Sequence, residues 1–338
     1  MKPLFHPSLV NGPFDDPALY IDFLFDRRAI LFDLGDLHAL PSRKILRISH
    51  VFVSHTHMDH FTGFDRILRI MLARDKRMTL FGPPGFLHRV ENRLASYTWN
   101  LVEGYSTDFT IIAAEFDGGR IRSACFRCRG RFRREKETTV ETTDGILLDE
   151  DTFRVRCALL DHGAPCLAFT LEEKNHVNIM KNRLLEMGFQ VGPWLTELKT
   201  AALRGASDEE SFRVWWREGK ETRETEFTVG KLRKKILRIV PGQKITYVTD
   251  ILFSAENAVR TVALARNADY LFIEAMFLHE DAHLAEKKHH LTTRQAALIG
   301  LEAGAKRIIP FHFSPRYTGQ EDLLRREVEE VFRNRPTF

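Results

Sequence analysis

Apolar runs are short throughout the 338 residues, and none approaches the ~20 consecutive apolar side chains that a membrane-spanning helix needs. No spanning helix and no membrane partner are expected. The opening MKPLFHPSLVNGPFDDP has no apolar core and meets proline and aspartate early, so it does not read as a secretory signal. A cytoplasmic location is the expectation. Cysteine is scarce, limited to Cys125, Cys128, Cys157 and Cys166, and a reducing compartment disfavours structural disulfides. Cys125 and Cys128 have the C-x-x-C spacing that can ligate zinc or carry redox chemistry. No second pair follows, so they read as strand residues. Internal repeats and low-complexity linkers are absent as well. What remains is 43% hydrophobic and 28% charged, an ordinary globular composition with length for one large or two medium domains.

The net charge of +4 is mild, but its distribution is uneven. Arg120 to Lys136 reads RIRSACFRCRGRFRREK, and Lys231 to Arg238 reads KLRKKILR. Such clusters suit a polyanion, because each phosphate they neutralise releases counterions. They equally suit a solvated strand face carrying alternate arginines, and the sequence leaves both readings open.

Patterning divides the chain into a strand-rich first half and an alternating second half. Strands are expected at Tyr20–Leu24, Ala29–Phe32, Ile48–Ser54 and Met78–Phe81, the last stopped by Gly82-Pro83-Pro84. Helical spacing marks Phe64–Leu72, with Ile67, Leu68 and Met71 on one face, and Leu87–Tyr97. Ser106 to Asp161 reads as strands broken by turns at Asp117-Gly118-Gly119 and Asp144-Gly145. Strands at Ile245–Thr249, Tyr270–Ala275 and Arg307–Phe313 then alternate with helices at Ala255–Arg266, Thr292–Ala303 and Glu321–Arg333. This alternation implies sheets covered by helices. The polar stretch at about 175–243, with a helix expected over Val177–Met187, reads as an arm inserted into a single domain spanning 1–338.

One segment stands apart. SHTHMDHFTG, Ser54 to Gly63, holds three histidines and an aspartate within six positions, directly after the apolar Val51-Phe52-Val53. Imidazoles crowded beside a carboxylate at a strand end have little purpose without a metal. The spacing differs from the helical H-E-x-x-H signature. A tight loop can aim His55 and His57 at one ion and turn Asp59 and His60 toward another. Imidazole and carboxylate suit zinc, with manganese or iron as alternatives. Further candidates stand just past apolar runs, where α/β sheets place their sites. They are His162 after Arg154–Asp161, Asp250 after Ile245–Thr249, and His312 after Arg307–Phe311. Seven ligands around two ions, with Asp250 bridging, make a dinuclear centre.

His55-Thr56-His57-Met58-Asp59-His60 resembles the hallmark motif of the metallo-β-lactamase fold. The resemblance implies an α/β (α+β) protein, a four-layer αβ/βα sandwich with two mixed β-sheets and two zinc ions at one edge. Other segments resemble ribonuclease Z, the endonuclease family that trims the 3′ trailer of precursor tRNA. His312-Phe313-Ser314-Pro315-Arg316-Tyr317 resembles its last histidine motif, Thr249-Asp250 its bridging aspartate and Leu160-Asp161-His162 its third motif. His290-Leu291-Thr292-Thr293-Arg294 and Glu274-Ala275 resemble its His-Ser-Thr and His-Glu-Ala-Thr segments. Leu31 to Asp36 resembles the strand whose aspartate, here Asp33, braces a ligand. Gly192-Pro193, within GFQVGPWLTELK, resembles its tRNA-binding arm. The likeness runs from about Ala29 to Tyr317. The chain departs from it in lacking the Gly-rich first loop and in carrying Ile273 where a histidine precedes the glutamate.

The resemblance implies that His55, His57 and His162 hold one zinc, that Asp59, His60 and His312 hold the other, and that Asp250 bridges. Asp59 would also orient or deprotonate the attacking water. His290, oriented by Glu274, would protonate the leaving 3′ oxygen, although His289 beside it is an alternative. Ser314, Arg316 and Lys199 are the implied substrate contacts, precursor tRNA the implied partner and a homodimer the implied assembly. Aspartate at 250 speaks against a β-lactamase, whose drug-hydrolysing members typically carry a thiol there. Two other readings stay open: a small-substrate phosphodiesterase acting on cyclic nucleotides or cyclic phosphates, and a non-catalytic nucleic-acid-binding subunit.

Overall fold

Alternation along the strands sorts their side chains into separate cores, as a period of two requires. In Ala29–Phe32, Ala29 and Leu31 face one core while Ile30 and Phe32 face another. The same division separates Ile245 and Tyr247 from Val248, and Phe272 from Leu271 and Ile273. The computed structural model describes residues 4–24, 26–174, 176–218 and 221–333, and its chain clusters into two units, 1–172 with 243–338, and 173–242.

The larger unit holds two mixed sheets. The first has eight strands in chain order, Phe5–Leu9, Leu19–Phe23, Ala29–Phe32, Ile48–Phe52, Arg77–Gly82, Thr110–Phe116, Arg120–Arg127 and Arg134–Glu141. Its middle pairings are parallel and its outer ones antiparallel. The second runs Ile308–Phe311, Tyr270–Glu274, Lys244–Val248, Pro165–Glu173, Phe153–Asp161, Ile146–Asp149. Phe32, Phe52 and Phe81 from the first sheet meet Phe169, Tyr247 and Phe311 from the second in the core between them. Phe32 stacks on Phe169 with ring centroids 5.4 Å apart. Helices Phe64–Met71 and Phe86–Ala95 pack on the outer face of the first sheet. Helices Ala255–Ala265, Thr293–Glu302 and Glu321–Arg333 pack on that of the second. Helix, sheet, sheet, helix is the expected four-layer sandwich.

Most expected elements are present with ends shifted by a residue or two. Arg307–Phe313 shortens to Ile308–Phe311, because His312 takes φ 58°, which no strand continues through. Asp117 Oδ1 accepts from the backbone N–H of Gly119 and Arg120, and Gly118 supplies φ 106° at that turn. Cys125 lies half-buried in Arg120–Arg127, Cys128 is buried just beyond it, and all four cysteines are free.

The smaller unit has its own core of Val177, Leu184, Phe189, Trp194, Leu198, Val214, Leu232 and Ile236. The single helix expected over Val177–Met187 is not formed. His176–Ile179 is a strand paired antiparallel with Leu237–Val240, and only Lys181–Glu186 is helical. β-Branched Val177 and Ile179 fit the ladder better than a helix, and their partners lie some 60 residues on. The hairpin Ser211–Glu218 with Glu221–Thr228 and the helices Trp194–Leu203 and Val229–Ile236 complete this unit.

Candidate metal centre

The strand Ile48–Phe52 carries the chain to Ser54, and the backbone then turns through His55 and His57 into the one-turn helix Met58–Phe61. This loop is clamped to the neighbouring strand end. Leu34 N–H donates to the His60 carbonyl at 3.0 Å, and Gly63 N–H donates to the Leu34 carbonyl at 2.8 Å. A Cβ at position 63 would lie 2.2 Å from the Gly35 carbonyl oxygen, so only glycine lets the two loops close. That closure brings Asp33 beneath His60.

Three other strand ends converge on the loop. Asp250 follows Lys244–Val248, His162 follows Phe153–Asp161 and His312 follows Ile308–Phe311. The donor atoms of His55, His57, His162 and Asp250 lie within 4.8 Å of one another, and so do those of Asp59, His60, Asp250 and His312. Asp250 belongs to both groups. Its Oδ2 stands 3.7 Å from His55 Nε2, 3.3 Å from His60 Nε2 and 3.6 Å from His162 Nε2, while Oδ1 is 2.8 Å from His312 Nδ1.

These side chains fit metal ions on their own chemistry. His55 Nε2 and His60 Nε2 are buried and make no hydrogen bond, and a buried polar atom left without one costs free energy that a coordinate bond removes. Burial pushes the His55 pKa down to about 2, with His60 adding to the effect, so its ring is neutral and free to ligate. Burial opposes protonation of His312 and His60 too. The carboxylates outweigh it, Asp250 and Asp59 raising His312 to about 10, and Asp250 and Asp33 holding His60 well above its ordinary value. Burial also works against charge on Asp59 and Asp250, and the same two imidazoles overcome it and hold both carboxyls well below the usual range. Binding a cation here requires these imidazoles to give up their protons.

The ligands are oriented from behind. Asp33, fully buried, accepts from Ser54 N–H through Oδ1 at 2.6 Å. Its Oδ2 accepts from Ser54 Oγ at 2.8 Å, from His60 Nδ1 at 2.9 Å and from Tyr247 Oη at 2.9 Å. His60 therefore keeps Nε2 for the site. His162 Nδ1 donates to the His289 carbonyl at 2.7 Å, which likewise leaves Nε2 inward. Thr249 Oγ1 donates to Asp250 Oδ1 at 2.9 Å. Asp33, His289 and His312 all take φ near 60°, a left-handed conformation uncommon outside glycine but enriched for Asp and His.

Of the adjacent histidines, it is His290 whose ring meets Glu274, Nδ1 to Oε2 at 3.1 Å. Glu274 is fully buried and its Oε1 accepts from the Ile251 N–H at 2.8 Å, next to Asp250. The His290 ring centroid lies 4.9 Å from that of His162 and 5.9 Å from that of His312. Ser314 is buried and its N–H donates to the Met276 carbonyl. Arg316 pairs with Asp281 at 3.5 Å, and its guanidinium lies 5.6 Å from the centroid of the Tyr317 ring. Lys199 belongs to the smaller unit, half-buried on helix Trp194–Leu203. Sequence reasoning missed Ser54, Tyr247 and the His289 carbonyl. The position of Ser54 beside the histidine loop is the one local signal among them.

No protein-family model matches the chain. A ribonuclease Z of Deinococcus radiodurans is 30% identical over 315 residues, covering 92% of this chain and 90% of the relative. A ribonuclease Z of Geobacillus kaustophilus is 29% identical over 312 residues, covering 90% and 84%. Among solved structures, the metallo-β-lactamase fold protein YhfI from Bacillus subtilis superposes with a TM-score of 0.55 at 14% identity, over 96% of this chain and 92% of that one. With the four-layer sandwich and the paired ligand groups meeting at Asp250, this likeness assigns the protein: the chain belongs to the ribonuclease Z family, metal-dependent hydrolases on the metallo-β-lactamase fold.

Proposed function

We propose that the protein is an endoribonuclease that removes the 3′ trailer of precursor tRNA with two zinc ions. The observation that carries this reading is the pair of four-residue ligand groups sharing Asp250, in a chain of this family. His55, His57, His162 and Asp250 would hold one ion, and Asp59, His60, Asp250 and His312 the other. Bound zinc would supply Lewis acidity toward a phosphodiester and a hydroxide at neutral pH.

The protein's own groups do the rest. Asp59 is half-exposed while the other members of its group, His60, Asp250 and His312, are buried, so its carboxylate faces solvent and can accept a proton from the attacking water. His290 holds its proton more tightly than an ordinary imidazole, because Glu274 overcomes the effect of burial. With Nδ1 tied to Glu274, Nε2 is the atom that protonates the leaving 3′ oxygen. Ser314 and Arg316, just past His312, would contact the RNA, as would Lys199.

The family resemblance supports a homodimer, and an RNA-processing role supports the cytoplasm. No helix among the described residues is long and apolar enough to cross a membrane. The test is cleavage of a precursor tRNA by purified protein loaded with zinc, with Asp250→Ala as control and the metal counted by elemental analysis. Trailer removal that Asp250→Ala abolishes, with about two zinc per chain, is the expected result. A fully loaded protein that leaves the precursor intact, while hydrolysing a cyclic nucleotide, overturns it.

A further inference from the structure

The helix Phe64–Met71 begins four residues after His60 and turns Asp65, Arg66 and Arg69 outward, while Leu68 is buried against the core. Two cavities follow that side. The first, of about 610 Å³, is lined by Asp16, Asp36, His38, Thr62, Gly63, Asp65, Arg66 and Arg69. Thr62 and Gly63 in its lining follow His60 by two and three residues, so this cavity opens beside the metal loop. The second, of about 300 Å³, shares Asp65 and Arg69 with the first and is closed by Leu68, Leu72, Tyr97, Thr98 and Trp99. Together they form one groove, about the ~12 Å length of an eight-residue helix, leading from the metal loop to a pair of aromatic rings.

The far end is organised in advance. Asp65 binds Arg93 through both carboxylate oxygens, and the Tyr97 N–H donates to the Leu94 carbonyl at the end of helix Phe86–Ala95. Trp99 Nε1 donates to the Leu94 carbonyl at 2.8 Å, and its ring meets Phe132 edge-on with centroids 4.8 Å apart. The Tyr97 and Trp99 rings meet edge to face, with centroids 5.8 Å apart at 67°. Tyr97 is 41% exposed. Asp65 is taken by Arg93, Asp36 by His38, and Arg66 by the Leu37 and Leu40 carbonyls, while the Asp16 carboxylate has no hydrogen bond or ion pair among the described residues. Arg69 is exposed and has no hydrogen bond or ion pair among the described residues.

We infer that this groove is an RNA subsite, in which Tyr97 and Trp99 stack a nucleobase of the substrate and Arg69 binds the adjoining phosphate. Aromatic rings to stack on and a free guanidinium are what single-stranded nucleic acid binds to, and the groove's other end lies at the metal loop. The inference rests on the reading of the protein as a ribonuclease.

Two measurements separate the subsite from that reading. Fluorescence anisotropy of a labelled precursor tRNA, in the Asp250→Ala background, reports binding without cleavage. Initial rates on the precursor and on bis(p-nitrophenyl) phosphate, in the otherwise unaltered zinc-loaded enzyme, report KM and kcat. Tyr97→Ala is expected to raise Kd and precursor KM about 5- to 30-fold with kcat little changed, the effect of losing one stacked base. Tyr97→Phe keeps the ring and stays near the unaltered protein. Arg69→Ala is expected to reduce the slope of log K against log salt by roughly 0.7, the mark of one lost phosphate contact on a single strand. Hydrolysis of the small phosphodiester, too short to reach Tyr97, stays unchanged in all three. Unaltered Kd, KM and salt slope in Tyr97→Ala and Arg69→Ala overturn the subsite. So does an equal loss on both substrates, which marks a structural role. If the enzyme leaves the precursor intact, the proposed function fails, and the anisotropy comparison still decides the groove.

Discussion

Tyr247 and Asp33 lie 214 positions apart in the chain, yet Tyr247 Oη donates to Asp33 Oδ2 at 2.9 Å in the core between the sheets. The same oxygen accepts from His60 Nδ1. Burial raises the Tyr247 hydroxyl well above its ordinary pKa, and the Asp33 charge raises it further, so the phenol remains a donor. A carboxylate shared this way holds the His60 ring at one angle. Groups that orient a metal ligand are commonly worth 10- to 100-fold in affinity. Tyr247→Phe, which removes one donor and little volume, is expected to weaken zinc binding about 10-fold in a chelator competition while leaving the circular dichroism spectrum intact. Unchanged affinity would remove Tyr247 from the site.

Glu274 accepts from both His290 Nδ1 and the Ile251 N–H, and its carboxylate also falls within 4.8 Å of donor atoms on Asp250 and His312. Two roles are therefore distinguishable. As the group that orients His290, Glu274→Gln is expected to lower kcat on precursor tRNA about 10- to 100-fold at constant metal content. His290→Asn is expected to lower it about 10²- to 10³-fold, within the range of a general acid. Loss of zinc from Glu274→Gln, measured by elemental analysis, would assign Glu274 to the metal instead.

The histidine loop was legible because four of the proposed ligands fall within six consecutive positions. His162, Asp250 and His312 were legible as polar residues just past apolar runs, a local pattern the sandwich turns into a shared edge. Tyr247 was not. It sits in the apolar run Ile245–Val248, and alternation alone assigns it to the core, which is where it lies. Its hydroxyl matters only because Asp33 is delivered from a different sheet. The helix expected over Val177–Met187 failed for a related reason, since its first residues pair with a strand that local periodicity cannot see. The groove at Tyr97 and Trp99 carries no motif, being assembled from a helix face and a loop some 30 residues on.

His50 provides a pH test away from the metal loop. It lies in Ile48–Phe52, and burial lowers its pKa to about 4, with Glu150 opposing and Arg28 and Arg77 assisting. An unfolded histidine titrates near ~6.5. Between these values the unfolded chain takes up a proton that the folded one refuses. The contribution to stability is complete above pH ~6.5 and is lost as pH falls toward 4. Urea midpoints measured from pH 7.5 to 4 are expected to fall less steeply for His50→Gln than for the unaltered protein. Parallel slopes would show that His50 is protonated in the folded state.

Five of the seven arginines between 120 and 136 are paired with carboxylates. Arg120 pairs with Asp117, Arg122 with Glu115, Arg127 with Asp108, Arg131 with Glu103, and Arg134 with Glu91 and Glu137. At these five, phosphate would have to displace carboxylates already in place. Among these, Glu115 is 7% exposed, and its other oxygen accepts from the Leu87 N–H, so Arg122 compensates a nearly buried charge. Arg122→Ala is expected to cost about 1–2 kcal/mol of stability by urea unfolding, discounted from a fully buried pair because the guanidinium is half-exposed. RNA affinity and its salt dependence should stay as they were. Adding Glu115→Gln should recover part of the loss, since it removes the uncompensated charge while keeping an acceptor for Leu87. A drop in the salt slope on Arg122→Ala would instead put this strand face against the RNA.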